Sequence, residues 1–140
     1  YNKSFPAKAL PYIVVVIDEF GDIVLQQTAA EKREQTFDNV ISRIAAMSRA
    51  AGVHLILSTQ RPDANIVTPL LKANIPARIC FKVVDQTNSR IVIDENGAEK
   101  LSGKGDGLLK TNSLTRFKGA FIDLEEIERV VTWWKNNKDN

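Results

Sequence analysis

The stretch that decides the fold is Tyr12-Ile-Val-Val-Val-Ile-Asp-Glu-Phe20, in which an unbroken apolar run ends at two adjacent carboxylates. The six residues from Tyr12 to Ile17 are bulky and mostly β-branched, and they leave no polar face for water. The run therefore predicts a strand that is covered on both sides, as in a parallel α/β sheet. Asp18 and Glu19 then lie where the strand leaves the sheet, which is the edge where open α/β sheets bind ligands.

An apolar strand that ends in Asp-Glu has the form of a Walker B element in a P-loop NTPase. In such an element the Asp organises Mg²⁺ and the following Glu polarises the attacking water. Many parallel strands also end in an acidic residue that only caps the next loop or helix. The run alone therefore leaves both interpretations open, and the rest of the chain has to decide between them.

Composition is that of an ordinary soluble globular domain, with 44% hydrophobic and 26% charged residues in a chain of 140. No apolar run approaches the ~18 residues of a membrane span, so we expect no membrane contact by this segment. The single Cys80 and single His54 exclude an internal disulfide and a Cys/His zinc site made by this chain alone. A reducing, cytoplasmic setting fits best. The first residue is Tyr1 rather than Met, from which we expect an internal fragment of a longer protein.

The formal net charge of +2 and the pI of about 8.7 are only mildly basic. Overall charge therefore neither requires nor forbids a nucleic-acid partner, and any DNA contact must come from local clusters.

A second apolar run, Val53-His-Leu-Ile-Leu-Ser58, ends at the polar segment Thr59-Gln60-Arg61-Pro62. Between the two runs, apolar residues recur at offsets of three and four from about 29 to 51, which predicts a helix that Gly52 ends. A strand, helix, strand order indicates a right-handed crossover between parallel strands. Both polar exits, Asp18-Glu19 and Thr59-Gln60-Arg61, should then lie on the same edge of the sheet.

The remaining pattern predicts smaller elements in a single domain over residues 1–140, and it leaves 21–28 open between a short helix and a loop. Alternation over 77–84 predicts a half-exposed strand near an edge or an interface. The other predicted elements are a lead-in over 1–11, helices over 67–73 and 85–93 (the second capped by Asp85 or Thr87), a helical turn over 97–101, hairpin strands over 108–110 and 116–121, a final helix capped by Asp123 and running to Trp134, and a frayed tail over 135–140.

A glycine-dense turn, Gly103-Lys-Gly-Asp-Gly107, invites comparison with a phosphate-binding loop. That loop needs G-x-x-x-x-G-K-[ST], but Ala98 stands where the first glycine is required, and Lys104 is followed by Gly105. No other Gly-Lys pair precedes Ser or Thr. The phosphate-cradling half of an NTPase site is therefore absent from this sequence.

Several long segments together resemble the motor domain of FtsK/SpoIIIE-type DNA translocases, in the same order and over about residues 10–131. The segments that carry the resemblance are 10–20, Arg43 to Pro62, Lys72-Ala-Asn-Ile-Pro-Ala-Arg78, Asn88-Ser-Arg-Ile-Val-Ile-Asp94 and 97–106. The resemblance implies an α/β, RecA-like P-loop NTPase fold, with a mainly parallel sheet flanked by helices and a C-terminal antiparallel hairpin. It also implies ATP and Mg²⁺ as cofactors, and a homo-hexameric ring through which double-stranded DNA passes.

By resemblance, each site residue takes a position in that motor. Asp18 corresponds to the magnesium-organising Walker B Asp and Glu19 to the general base. Gln60 corresponds to the polar sensor of the next strand, with Thr59 beside it at the nucleotide. Arg78 and Arg90 are both candidates for an arginine that reaches the neighbouring subunit's nucleotide, where it would stabilise transition-state charge. Arg78, Lys82, Lys100 and Lys104 lie in the region that faces DNA, although a solvated surface would also explain each lysine.

The sequence also departs from the family pattern. The Walker A segment would lie upstream, so the chain resembles only the second half of a motor, and we predict that the isolated 140 residues do not hydrolyse ATP. Gly21-Asp22 stands where the family often has Ala-Asp. Two alternatives remain open: a secretion or conjugation ATPase of the same superfamily, and a non-enzymatic, degenerate α/β interaction domain.

Overall fold

The computed structural model describes residues 4, 7, 11–27, 36–48 and 51–137. Five strands and five helices lie in these ranges, together with one 3₁₀ turn. In chain order they are β1 (Ile13–Ile17), α1 (Phe20–Gln26), α2 (Phe37–Ser48), β2 (Val53–Leu57), α3 (Pro69–Asn74), β3 (Arg78–Phe81), α4 (Gln86–Ile93), the 3₁₀ turn Ala98–Lys100, β4 (Asp106–Lys110), β5 (Leu114–Lys118) and α5 (Leu124–Asn136).

Strands β1 and β2 are parallel neighbours, with a register that runs from Ile13 opposite Val53 to Ile17 opposite Leu57. Helix α2 lies between them in the chain, which confirms the predicted strand, helix, strand unit. The predicted helix also covered 29–35, 49 and 50, which lie outside the described residues. Gly52 follows with φ +75°, a left-handed conformation that favours glycine, and β2 begins directly after it.

The prediction that β1 is covered on both sides is wrong for this chain. Val14 and Val16 on one face are 58% and 63% exposed, and even Val15 on the other is 37% exposed. Within the described residues the parallel sheet has two strands only, so neighbours cover little of β1. An all-apolar strand is typical of a strand whose two faces are both buried. The part of the chain that the structure describes buries neither face of β1 completely.

A first core packs beneath the ends of the parallel pair. Its buried members are Phe20, Phe37, Ile41, Ile66 and Leu71. The Phe20 and Phe37 rings stack with centroids 5.8 Å apart, which ties the start of α1 to the start of α2. Because Phe20 follows Glu19 directly, this packing fixes the backbone at the predicted site. Met47, which the helical pattern places on the apolar face of α2, is instead 70% exposed.

Strand β3 does not extend the parallel pair. It pairs antiparallel with β4, which pairs with β5, so the predicted hairpin forms one sheet in the order β3-β4-β5. Strand β3 lies at the edge of this sheet, as its alternating pattern predicts. Its covered face carries Cys80, which is 4% exposed, while Ile79 and Phe81 on the other face are more than half exposed.

A second core joins this sheet to α4 and the 3₁₀ turn, and its buried members are Cys80, Ile93, Ala98, Leu101 and Leu108. Of the two predicted caps of α4, the structure has Asp85, which accepts a hydrogen bond from the Asn88 amide at 2.8 Å. Helix α3 begins at Pro69 behind its cap, Thr68, two residues later than predicted.

The final helix α5 begins with the predicted cap. Asp123 and Glu126 form a capping box, in which each side chain accepts a hydrogen bond from the other residue's backbone amide. The helix continues to Asn136, two residues beyond the predicted end at Trp134. The frayed tail over 135–140 stays a prediction, and 138–140 lie outside the described residues. None of the helices in the described ranges has the length and apolar character to span a membrane.

Candidate functional site

The two predicted polar exits are joined by backbone hydrogen bonds. The Ser58 amide donates to the Ile17 carbonyl at 3.0 Å, and the Phe20 amide donates to the Ser58 carbonyl at 2.9 Å. These bonds continue the β1–β2 pairing one step beyond the strands. Asp18 and Glu19 therefore project from a turn that is held on both sides by the exit of β2.

Glu19 adopts a left-handed backbone conformation, with φ 48° and ψ 53°. A residue with a Cβ is strained there by about 1–2 kcal/mol, and such strain is concentrated at functional sites. The turn redirects the chain from β1 into α1, so it brings both carboxylates back over the β2 exit. This conformation is why two neighbours in sequence can both contact the next strand.

Asp18 contacts the last residue before the predicted polar segment. Its Oδ1 accepts a hydrogen bond from Ser58 Oγ at 2.6 Å and another from the Glu19 amide at 3.1 Å. Sequence reasoning had assigned Ser58 only to the strand. The signal that could have identified it is its position, because the first polar residue after an apolar parallel strand lies at the same edge as the Asp-Glu pair.

Both carboxylate oxygens of Glu19 accept hydrogen bonds from the β2 exit. Oε1 accepts from Thr59 Oγ1 at 2.6 Å, and Oε2 accepts from the Gln60 backbone amide at 2.8 Å. The Thr59 hydroxyl is the largest cause, and the Gln60 amide the second, of a pKa for Glu19 that lies below its ordinary value. The predicted convergence of Asp18, Glu19, Thr59 and Gln60 is confirmed, with Gln60 acting through its backbone N–H.

Two residues of α1 complete this edge. Gly21 is buried against Thr59, and Asp22 forms an ion pair with Arg61 at 3.3 Å between Oδ1 and the guanidinium. Both partners of that pair are about half exposed, so it contributes little to stability.

The donor set of the site fits Mg²⁺. Among the described residues, no three His, Cys, Asp or Glu side chains gather into an all-protein metal cage. Mg²⁺ does not need one, because it is usually held by one or two carboxylates together with substrate phosphates and water. The exposed Asp18 carboxylate, with the Ser58 hydroxyl beside it, supplies hard oxygen ligands of that kind.

The two candidate arginines differ in their exposure and in the strength of the contacts that they make. The Arg78 side chain is 15% exposed and pairs with Asp94 at 2.7 Å, and Asp94 also accepts from Lys72 Nζ at 2.5 Å. Arg90 on α4 is exposed, and its Nε donates to Asn96 Oδ1 at 2.8 Å. No hydrogen bond or ion pair in the described ranges links either arginine to Asp18 or Glu19, so the structure does not bring them into the carboxylate site.

The predicted DNA-facing lysines are exposed, and two of them lie at the glycine-dense turn. Lys104 is left-handed within it at φ 53°, and the Lys82 Cδ lies 3.9 Å from a Cβ position built on Gly103. Lys118, which sequence reasoning missed, donates from Nζ to the Gly103 carbonyl at 3.2 Å. Lys100 ends the 3₁₀ turn that precedes this region.

Asp106 anchors the same turn. It is buried, and it accepts two hydrogen bonds from the Arg116 guanidinium, at 2.9 and 2.7 Å, and two more from the Ser102 amide and hydroxyl. The Arg116 contact is the largest cause that lowers the pKa of Asp106 far below its ordinary value. The turn that carries Lys104 is therefore rigidly held at its base.

An α/β chain whose parallel strands deliver two carboxylates to a shared Ser-Thr-Gln edge has the fold of a P-loop ATPase domain. Solved structures of that class resemble it. The pCW3 conjugation coupling protein TcpA, in a monomer form with ATPγS, superposes with a TM-score of 0.77 at 29% identity, over 94% of this chain and 40% of that one. The cytoplasmic domain of the type VII secretion ATPase EccC from Thermomonospora curvata gives 0.71 at 28% identity, over 86% and 14%.

The chain is similar to proteins of the FtsK/SpoIIIE family. The sequence profile of that family matches residues 3–64. The DNA translocase FtsK of Treponema pallidum is 46% identical over 133 residues, which are 93% of this chain and 16% of that protein. The FtsK of Clostridium acetobutylicum is 43% identical over 139 residues, or 97% and 17%. The chain thus spans about a sixth of the length of these curated relatives.

Proposed function

We propose that the protein carrying this chain is an ATP-driven double-stranded DNA translocase, and that the chain forms the Walker B half of its motor. The observation that carries the proposal is the convergence of Asp18 and Glu19 with Thr59 and Gln60 at one sheet edge. Relatives named DNA translocase FtsK support the DNA partner. ATP and DNA as substrates would place this segment in the cytoplasm.

Each site residue has a chemical role in this proposal. Asp18 would hold Mg²⁺, which when bound neutralises charge on the nucleotide phosphates. Glu19 would accept a proton from the attacking water as the general base. Gln60 would sense the γ-phosphate or orient the water with its exposed side chain, while its amide holds Glu19.

A ring of six subunits would complete each site with an arginine from the neighbouring subunit. We favour Arg90 for this role, because it is exposed and only partly committed to Asn96. Arg78 remains the alternative, but it would first have to leave its ion pair with Asp94.

For DNA, we propose that the glycine-dense turn contacts backbone phosphates through Lys104 and Lys82. Lys118 stabilises the turn through the hydrogen bond from its Nζ to the Gly103 carbonyl. Lys100 would add a contact next to it, and Arg78 would add one only if its ion pair opens. Phosphate contacts of this kind position the duplex without reading its sequence.

A secretion or conjugation ATPase is the second candidate, favoured by the solved structures that resemble this chain. ATP hydrolysis by the whole protein separates the two, because double-stranded DNA should stimulate a double-stranded DNA translocase, whereas a secretion or conjugation ATPase should respond to protein or to single-stranded DNA. The non-enzymatic alternative would be dismissed by finding a G-x-x-x-x-G-K-[ST] segment in the same protein.

The test of the proposed chemistry is Glu19→Gln in the whole protein, which removes the base and leaves the size of the side chain unchanged. We expect DNA-stimulated hydrolysis to fall by about 10²-fold or more, since general-base catalysis contributes that much, while ATP binding persists. Glu128→Gln, on the exposed helix α5, is the matched control and should behave as wild type. Hydrolysis by Glu19→Gln at a near wild-type rate would contradict the role of Glu19.

A further inference from the structure

The Thr59 hydroxyl has a fixed orientation. It carries one proton, which it donates to Glu19 Oε1 at 2.6 Å, and its oxygen accepts a hydrogen bond from the Arg61 amide at 3.1 Å. Because the acceptor side is occupied by a backbone amide, the proton points toward the carboxylate. Threonine is also stiff at χ1, so it defines a direction better than a long side chain would.

Gly21 makes room for this contact. A Cβ atom added there would lie 2.8 Å from Thr59 Oγ1, 3.0 Å from Glu19 Oε1 and 3.2 Å from Ile66 Cδ1. The first of these separations is shorter than carbon and oxygen atoms accept without a shift. The hydroxyl and the carboxylate therefore pack directly against the Gly21 backbone. This close packing limits the rotation of both groups, and it is possible only because residue 21 has no side chain.

We propose that Thr59 is a positioning residue, whose hydroxyl fixes the direction in which the Glu19 carboxylate faces the attacking water. Gly21 contributes by leaving the space in which the hydroxyl and the carboxylate meet. The proposal rests on the proposed function, because it gives Thr59 a role only if Glu19 is the base. Glutamate has three rotatable side-chain bonds, and the Gln60 amide alone fixes only one of its oxygens. A misdirected base costs rate even when it remains present.

The experiment compares Thr59→Val with Thr59→Ser in the whole protein. Valine keeps the shape and removes the donor, whereas serine keeps the donor. For Thr59→Val we expect kcat of DNA-stimulated hydrolysis to fall about tenfold with KM within about twofold. Thr59→Ser should restore kcat. An unchanged kcat in Thr59→Val, or an equal loss in Thr59→Ser, would overturn the proposal.

Gly21→Ala tests the same arrangement without deleting any polar group, and it serves if Thr59→Val does not fold. Its Cβ should displace the Thr59 hydroxyl and lower kcat, and a wild-type kcat would count against the proposal. Glu19→Gln keeps the two hypotheses apart. If Glu19→Gln hydrolyses ATP normally, the proposed function fails; if it is inactive while Thr59→Val is normal, only the role of Thr59 fails.

Discussion

Glu19 has a candidate catalytic side chain on a left-handed backbone, two properties that usually fall on different residues. The sequence could predict the chemical role of the side chain but not the backbone conformation. A carboxylate pair after an apolar run indicates chemistry, but left-handed backbone is commonly marked by Gly or Asn, and glutamate gives no such signal. The functional side chain is retained at a position whose backbone would favour glycine.

This strain leads to a reversal of the usual order of stability. Alanine normally makes a protein more stable than glycine because it restricts the unfolded chain. At position 19 we expect Glu19→Gly to be more stable than Glu19→Ala by about 1 kcal/mol, because both lose the same hydrogen bonds and only alanine keeps the left-handed strain. Urea unfolding of the two variants measures the difference. Equal stability, or a more stable alanine variant, would show that the strain is negligible.

At the scale of the elements, the pattern predicted type and order better than boundaries. The parallel pair, the crossover helix, the hairpin and the capped final helix are all confirmed, because each carries a periodic apolar pattern or an identifiable cap. Helix α1 was left open because its cap is the left-handed Glu19, with no side-chain hydrogen bond. The strand with which β3 pairs could not be predicted, because the alternating pattern of β3 does not reveal whether it joins the hairpin or the parallel pair.

The glycine-dense turn allows an element-scale prediction with a built-in control. Gly103 and Gly105 are both left-handed, at φ +79° and +82°, so alanine at either is strained by about 1–2 kcal/mol. At Gly105 a Cβ would also lie 2.6 Å from the Gly119 carbonyl oxygen, whereas at Gly103 its nearest neighbour is 3.9 Å away.

We therefore expect Gly105→Ala to lower the free energy of unfolding more than Gly103→Ala, by at least about 1 kcal/mol, because backbone cannot move aside cheaply. Chemical denaturation of the 140-residue chain, or of the whole protein, provides the measurement. If the two variants lose the same stability, β4 and β5 do not approach as closely as described.

At the scale of the whole molecule, the site would form one half of the proposed catalytic centre. Asp18, Glu19 and the β2 exit are in place, but the sequence has no phosphate-binding loop of the form G-x-x-x-x-G-K-[ST]. Val14 and Val16 of β1 and Ile56 of β2 are more than half exposed, so this sheet presents apolar surface to solvent. The two-sided cover that the apolar run from Tyr12 to Ile17 predicts is therefore wrong for this chain.

The prediction at this scale concerns the isolated chain. We expect the purified 140 residues to show no ATP turnover above background, with or without double-stranded DNA, because nothing cradles the phosphates. A steady-state phosphate-release assay provides the measurement, with the whole protein as the positive control. Turnover by the fragment that Glu19→Gln abolishes would contradict the division of the site between two halves.

The two hydrophobic cores are each built from one continuous stretch, the first from residues 20–71 and the second from 80–108. Because each core draws its buried residues from its own stretch of chain, each stretch can form and open as a cooperative unit. Asp94 links the two, since it holds Lys72 of α3 and Arg78 of β3 at once. Amide hydrogen exchange should therefore resolve two protection classes that divide near 75–77, with the ion pair between Lys72 and Asp94 joining the two stretches.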